Sequence, residues 1–127
     1  VFYIIESSKS FAEACFDLEP VVQRLGFIIL QAHKPGESPH YKAFDLDDDF
    51  QSFAISNDRL AERLLACDMR ACLLAPWRIA IYTENGATKL GLIRPTLQIA
   101  ALGNSPKLRQ IASELEERMI QIVDETR

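Results

Sequence analysis

Asn85-Gly86 is the feature that most narrows what this chain can fold into. It lies between two stretches with alternating apolar residues, Arg78 to Glu84 and Ala87 to Ile93. A two-residue hairpin turn requires positive φ at both central positions, and Asn-Gly tolerates that best. The spacing therefore predicts an antiparallel hairpin in which Glu84 stands opposite Ala87. In this register Ile81 faces Leu90 and Ile79 faces Leu92 on one side of the sheet. Ala80 opposite Gly91 and Tyr82 opposite Lys89 fall on the other side. A hairpin with one strongly apolar face needs a cover, and the rest of the chain supplies amphipathic helices to provide it.

The first of these follows a β-branched and aromatic strand, Val1 to Ile5. Ser10 and Glu13 have the spacing of a capping box. Behind them Phe11, Ala14, Cys15, Leu18, Val21, Val22 and Leu25 recur with helical period. Gly26 suits the position just past a helix end, and Pro20 predicts a bend in the preceding turn. Phe27 to Leu30 reads as a second strand. It leads into a loop between His33 and His40 that holds Pro35, Gly36 and Pro39. Phe50 to Ile55 reads as a third strand, and Asn57 caps a helix carrying Leu60, Ala61, Leu64 and Leu65. After the hairpin, Pro95 to Leu102 forms a short helix or turn. Ser105-Pro106 then starts a last helix with an apolar stripe through Leu108, Ile111, Ala112, Leu115, Met119, Ile122 and Val123.

The order is β-α-β-β-α-β-β-α, with no repeat and no low-complexity linker. It predicts an α+β fold, a two-layer sandwich of an antiparallel sheet with helices mainly on one face. At 127 residues one domain spanning 1–127 is expected. A chain of this size buries roughly two-thirds of its unfolded surface without disulfide or metal support. The net charge of −4 and the absence of a Lys/Arg cluster argue against nucleic-acid binding. No apolar run is long enough to span a bilayer and no export signal precedes the first strand. Cys15, Cys67 and Cys72 are odd in number and lack C-x-x-C spacing, which fits free thiols in a reducing cytoplasm. Val1 in place of Met implies a few residues ahead of the numbering.

The segments Glu6 to Phe11, Leu25 to Phe27, Leu60 to Leu65 and Pro76 through Arg94 resemble the family known as domain of unknown function 302. The likeness covers nearly the whole chain and rests on order and spacing. It implies a small TATA-binding-protein-like α+β fold, commonly a homodimer, without established activity. Two positions depart from the family pattern. Asn57-Asp58 stands where the family has Asn-Pro, and Ala75-Pro76-Trp77 stands where it has Leu-Pro-Cys. An activity that used the triplet's cysteine does not carry over to this chain.

No residue pattern announces an enzyme. There is no nucleophile elbow, phosphate loop or dinucleotide fingerprint, and nothing calls for a cofactor. His33 and His40 with Glu37 or Asp45 are too few and too loosely spaced for a metal centre. Asp45 to Asp49 lacks the glycine and glutamate of a calcium loop. Cys15 belongs to a buried helical stripe. Cys67 and Cys72 lie near a helix end with Arg70 between them, and they are the thiol candidates for a cysteine enzyme or sulfur carrier. Trp77, Phe44, Phe53 and Tyr82 are the candidates for a ligand pocket or an interface. The first functional expectation is a non-enzymatic homodimer that binds a small apolar ligand or a protein partner. Phe44, Phe50, Phe53, Trp77, Tyr82 and Ile93 are expected on the uncovered sheet face, with the last helix as a rival contact surface.

Overall fold

A computed structural model describes residues 1–34 and 48–127. Five strands, β1 (Phe2–Ser7), β2 (Ile28–His33), β3 (Phe50–Ser56), β4 (Trp77–Glu84) and β5 (Ala87–Ile93), form one antiparallel sheet in the order β1-β5-β4-β3-β2. The helices are α1 (Phe11–Arg24), α2 (Asp58–Cys67), α3 (Pro95–Ile99) and α4 (Pro106–Thr126), with a 3-10 turn at Met69–Leu73. The α+β sandwich predicted from the hairpin and the helical stripes is the fold observed.

The hairpin has the predicted register, Glu84 to Ala87, Ile81 to Leu90 and Ile79 to Leu92. Asn85 and Gly86 sit at φ values of 52° and 80°, the left-handed pair that this turn needs. Local signals also set the helix ends. Ser10 and Glu13 form the full capping box. At the other end of α1, Phe27 N–H donates to Val22 and Gly26 N–H to Gln23, with Gly26 at φ 86°. This is the Schellman arrangement that a left-handed glycine permits. Pro20 leaves α1 unbroken because it lies on the exposed side, where water can serve the carbonyl it leaves unbonded. Asn57 caps α2 through Leu60 N–H at 2.9 Å and donates to the Gly26 carbonyl at 2.8 Å, which ties the start of α2 to the α1–β2 turn.

Strand alternation sorts the residues onto two faces. Phe53, Ile55, Trp77, Ile79, Ile81, Leu90 and Leu92 point towards the helices and are all 6% exposed or less. Leu18 and Val22 of α1 and Ile111, Leu115, Met119 and Ile122 of α4 meet them in one core. The end of α4 is anchored to the start of the chain. Ser7 Oγ donates to the Arg127 carbonyl, Lys9 Nζ to the Thr126 carbonyl, and Arg127 Nε to the Glu6 carbonyl. The first two satisfy carbonyls that a helix C-terminus leaves without partners, and Lys9 adds a favourable charge there. Ion pairs Arg24–Glu125 and Arg63–Glu114 link α1 and α2 to α4.

Two sequence expectations are corrected by these burials. Phe53 and Trp77 were expected on the uncovered face, yet they are 4% and 6% exposed on the helix-covered side. The rival contact surface on α4 is also removed, because its apolar stripe from Leu108 to Val123 is buried within the chain's own core. His40, Phe44, Glu37 and Asp45 lie outside the described residues.

Candidate functional site

Three hollows collect the side chains that matter. The first lies on the uncovered face of the sheet. Cross-strand pairing aligns Ile4 with Gly91, Gly91 with Ala80, and Ala80 with Ser52. The three small residues make the floor of a trough of about 350 Å³ whose walls include Phe2, Ile93 and Tyr82. Gly91 is required at the floor. A Cβ there would stand 3.0 Å from Ile4 Cγ1 and 3.3 Å from the Tyr3 carbonyl oxygen. Phe2 is 65% exposed, Ile4 48% and Ile93 45%. The exposed Arg78 also lines this trough, and Lys89 pairs with Glu84 at 2.8 Å towards the hairpin end of the face.

The second hollow, of about 510 Å³, opens between α1 and the β2–β3 side of the sheet. Phe11, Cys15, Ile29 and Phe53 line it, along with the carboxamide-bearing Gln51, while Glu19 and Lys34 reach it from either side. Burial pushes the Cys15 thiol up to about 11, the opposing influences of Lys34 and Asp49 being smaller, so the sulfur is a neutral part of the wall. Beyond it Asp48 and Asp49 are engaged at Thr83, whose Oγ1 donates to the Asp48 carboxylate and accepts from the Asp49 N–H.

A third hollow, about 270 Å³, lies at the end of β4 among Trp77, Leu64, Leu65 and Cys72. Trp77 thus fills core space and also forms a wall of this hollow. Tyr82 contributes to the first hollow and Phe53 to the second, so the aromatic candidates are not brought together in one site. Sequence reasoning missed Gln51 and the hollow it lines.

The cysteines do not converge either. Cys15, Cys67 and Cys72 are free thiols, the last exposed on the 3-10 turn. Arg70 is the cation nearest Cys67 and Cys72 in sequence, but its guanidinium is engaged elsewhere. It binds both carboxylate oxygens of Asp68 and the Leu102 carbonyl, at 2.7 Å and 2.9 Å for the two Nη2 contacts. That pairing holds the Asp68 carboxyl below its usual range and raises the Arg70 guanidinium. Among the described residues no three of His, Cys, Asp and Glu gather as metal ligands. No described helix is long and apolar enough to cross a membrane.

The family model for domain of unknown function DUF302 matches residues 3–126. No curated protein matches the chain. The fold is similar to the crystal structure of an uncharacterized conserved DUF302 protein from Bacillus stearothermophilus, with 27% identity and a TM-score of 0.90 over 99% of this chain and 98% of that one. The order of capped helices and hairpin that suggested the family in the sequence is therefore present in three dimensions as well. The chain belongs to the domain of unknown function 302 family.

Proposed function

We propose that this protein is a non-enzymatic binding module that works as a homodimer, with two copies meeting through their uncovered sheet faces. The observation that carries this reading is the trough over Gly91, Ala80 and Ser52, with the apolar Phe2, Ile4 and Ile93 each 45% exposed or more around it. Exposed apolar groups gathered on one face are costly to hydrate and usually mark a contact surface. A floor of small residues lets an opposing surface approach closely. A two-fold partner would set Phe2 and Ile93 of one copy against the same region of the other, so one patch serves both sides.

The reading as a binder rests on the two remaining hollows and on the engagement of Arg70, which leaves the Cys67–Cys72 region without the activation a thiolate enzyme needs. Cytoplasmic location belongs to the same proposal, supported by three unpaired thiols. Sedimentation at micromolar concentration tests the pairing. The wild type should run at twice 14.4 kDa, and Ile93→Glu, which replaces an apolar contact by a charged side chain, should run as a monomer. A wild type at 14.4 kDa throughout would remove the homodimer.

A further inference from the structure

We infer that the hollow between α1 and the β2–β3 side of the sheet binds a small, mainly apolar molecule carrying an amide-like edge, one hydrogen-bond donor beside one acceptor. The argument starts from Gln51. It lies on the helix-covered face of β3, opposite Ile81 and two residues from Phe53, and is only 5% exposed. Its neighbours Phe53, Ile79 and Ile81 on that face are apolar, and a leucine would fill the position at no polar cost. Among the described residues its carboxamide makes no hydrogen bond. Yet no side-chain nitrogen or oxygen there is both fully enclosed and unpartnered. The carboxamide must therefore open onto the hollow that it lines.

A carboxamide that opens onto a recess and bonds none of the described residues is free to bond whatever enters that recess. A carboxamide presents a donor and an acceptor side by side, and the group that satisfies both is another such edge: a primary amide, a lactam or an imide. The remaining wall is apolar and aromatic, from Phe11, Phe53 and Ile29, with the neutral Cys15 thiol as a soft contact. Glu19 and Lys34 carry opposite charges, so the rim does not select for a net ionic ligand. At about 510 Å³ the space is of the size of small-molecule sites.

This inference rests on the reading of the protein as a binder but not on pairing of two copies, so sedimentation and the following titration fail independently. The probes are benzamide and acetophenone, which share ring and carbonyl but differ in the N–H donors. In ¹⁵N-resolved NMR, benzamide should give saturable shifts at Cys15, Ile29, Gln51 and Phe53, with an affinity about fivefold above that of acetophenone. Gln51→Leu should reduce benzamide to the acetophenone level while the fold persists with a higher Tm. Should that variant fail to fold, Ala32→Phe, which fills the hollow from its exposed side, should abolish the shifts for both probes. Absence of saturable shifts up to about 10 mM, or equal affinity for both probes in the wild type, would overturn the inference. Unchanged benzamide affinity in Gln51→Leu would do the same.

Discussion

The two faces of one sheet differ in who covers them. On the helix side, Ile79, Ile81 and Leu90 are fully buried beneath α1 and α4. On the other side, Phe2, Ile4 and Ile93 are apolar as well, yet each is 45% exposed or more. Both sets belong to neighbouring strands of one sheet, and β5 contributes to each by simple alternation, so the difference is not one of strand propensity. An outer face meant for water alternates polar residues against the core. Here Phe2, Ile4 and Ile93 surround a floor of small residues, with Arg78 at its border and Lys89 and Glu84 towards the hairpin end. The asymmetry is that the chain's own helices cover one side of the sheet and leave apolar residues open on the other, which is the basis of the pairing proposed above.

The comparison can be broken most sharply by truncating one residue of each kind. Ile81→Ala should cost about 2–5 kcal/mol in chemical denaturation, because the enclosed core cannot collapse around the lost atoms. That loss should be the same at every protein concentration. Ile93→Glu should instead remove a stabilisation that grows with concentration, as linkage to association demands. Equal behaviour of the two variants would contradict the division between faces. Next in size is Gly91→Val, expected to cost about 1–3 kcal/mol by crowding β1 through Ile4 and the Tyr3 carbonyl. Gly86→Val should cost at least about 1 kcal/mol, since a β-branched residue is strained at φ 80° even though open space surrounds it.

The smallest effects concern ionisation. Tyr3 Oη donates to Asp124 at 2.6 Å, and this bond raises the phenol above its ordinary value of 10.0, with burial adding to the effect. The protonated phenol is the form favoured by folding. Its contribution is therefore full below pH 10.0 and is lost as pH rises through the raised folded value. Tyr3→Phe should remove that component from the alkaline limb of a stability–pH curve. For Cys15 the folded value is also raised, from 9.0 to about 11, so its thiol should alkylate more slowly at pH 8 than the exposed Cys72. Faster labelling of Cys15 would show that the α1 hollow is charged and wet.

The legibility of the fold followed the range of the interactions that make it. Asn85-Gly86, Ser10 with Glu13, Asn57 and Ser105-Pro106 act over a few residues, and each is found in its expected role. Trp77 was misplaced although the needed signal was present. It stands two residues before Ile79, and the period of two puts both on one face. Phe53 was harder, because its side is set by pairing with Ile79, 26 positions further along the chain. The bulge at Leu30, between Ile29 and Gln31, shifts which residues of β2 face inward and leaves no local mark in the sequence. Gln51 was passed over because its residue type suggests an outer position, and only the β3–β4 register shows it inside. The apolar trough was half legible: the hairpin placed Tyr82, Ala80, Gly91 and Ile93 on one side, while the arrival of β1 with Phe2 and Ile4 required the tertiary fold.

The pairing of open faces is tested most directly by isotope-filtered NOE spectroscopy on a mixture of labelled and unlabelled protein. The methyl groups of Ile4 and Ile93 should show contacts between copies, together with Phe2 and Tyr82 ring protons. Methyls of Ile79, Ile81 and Leu90 should show none, since the chain's own helices enclose them. Contacts between copies that arise only from the β2 edge or from α4, with Ile4 and Ile93 silent, would contradict the account.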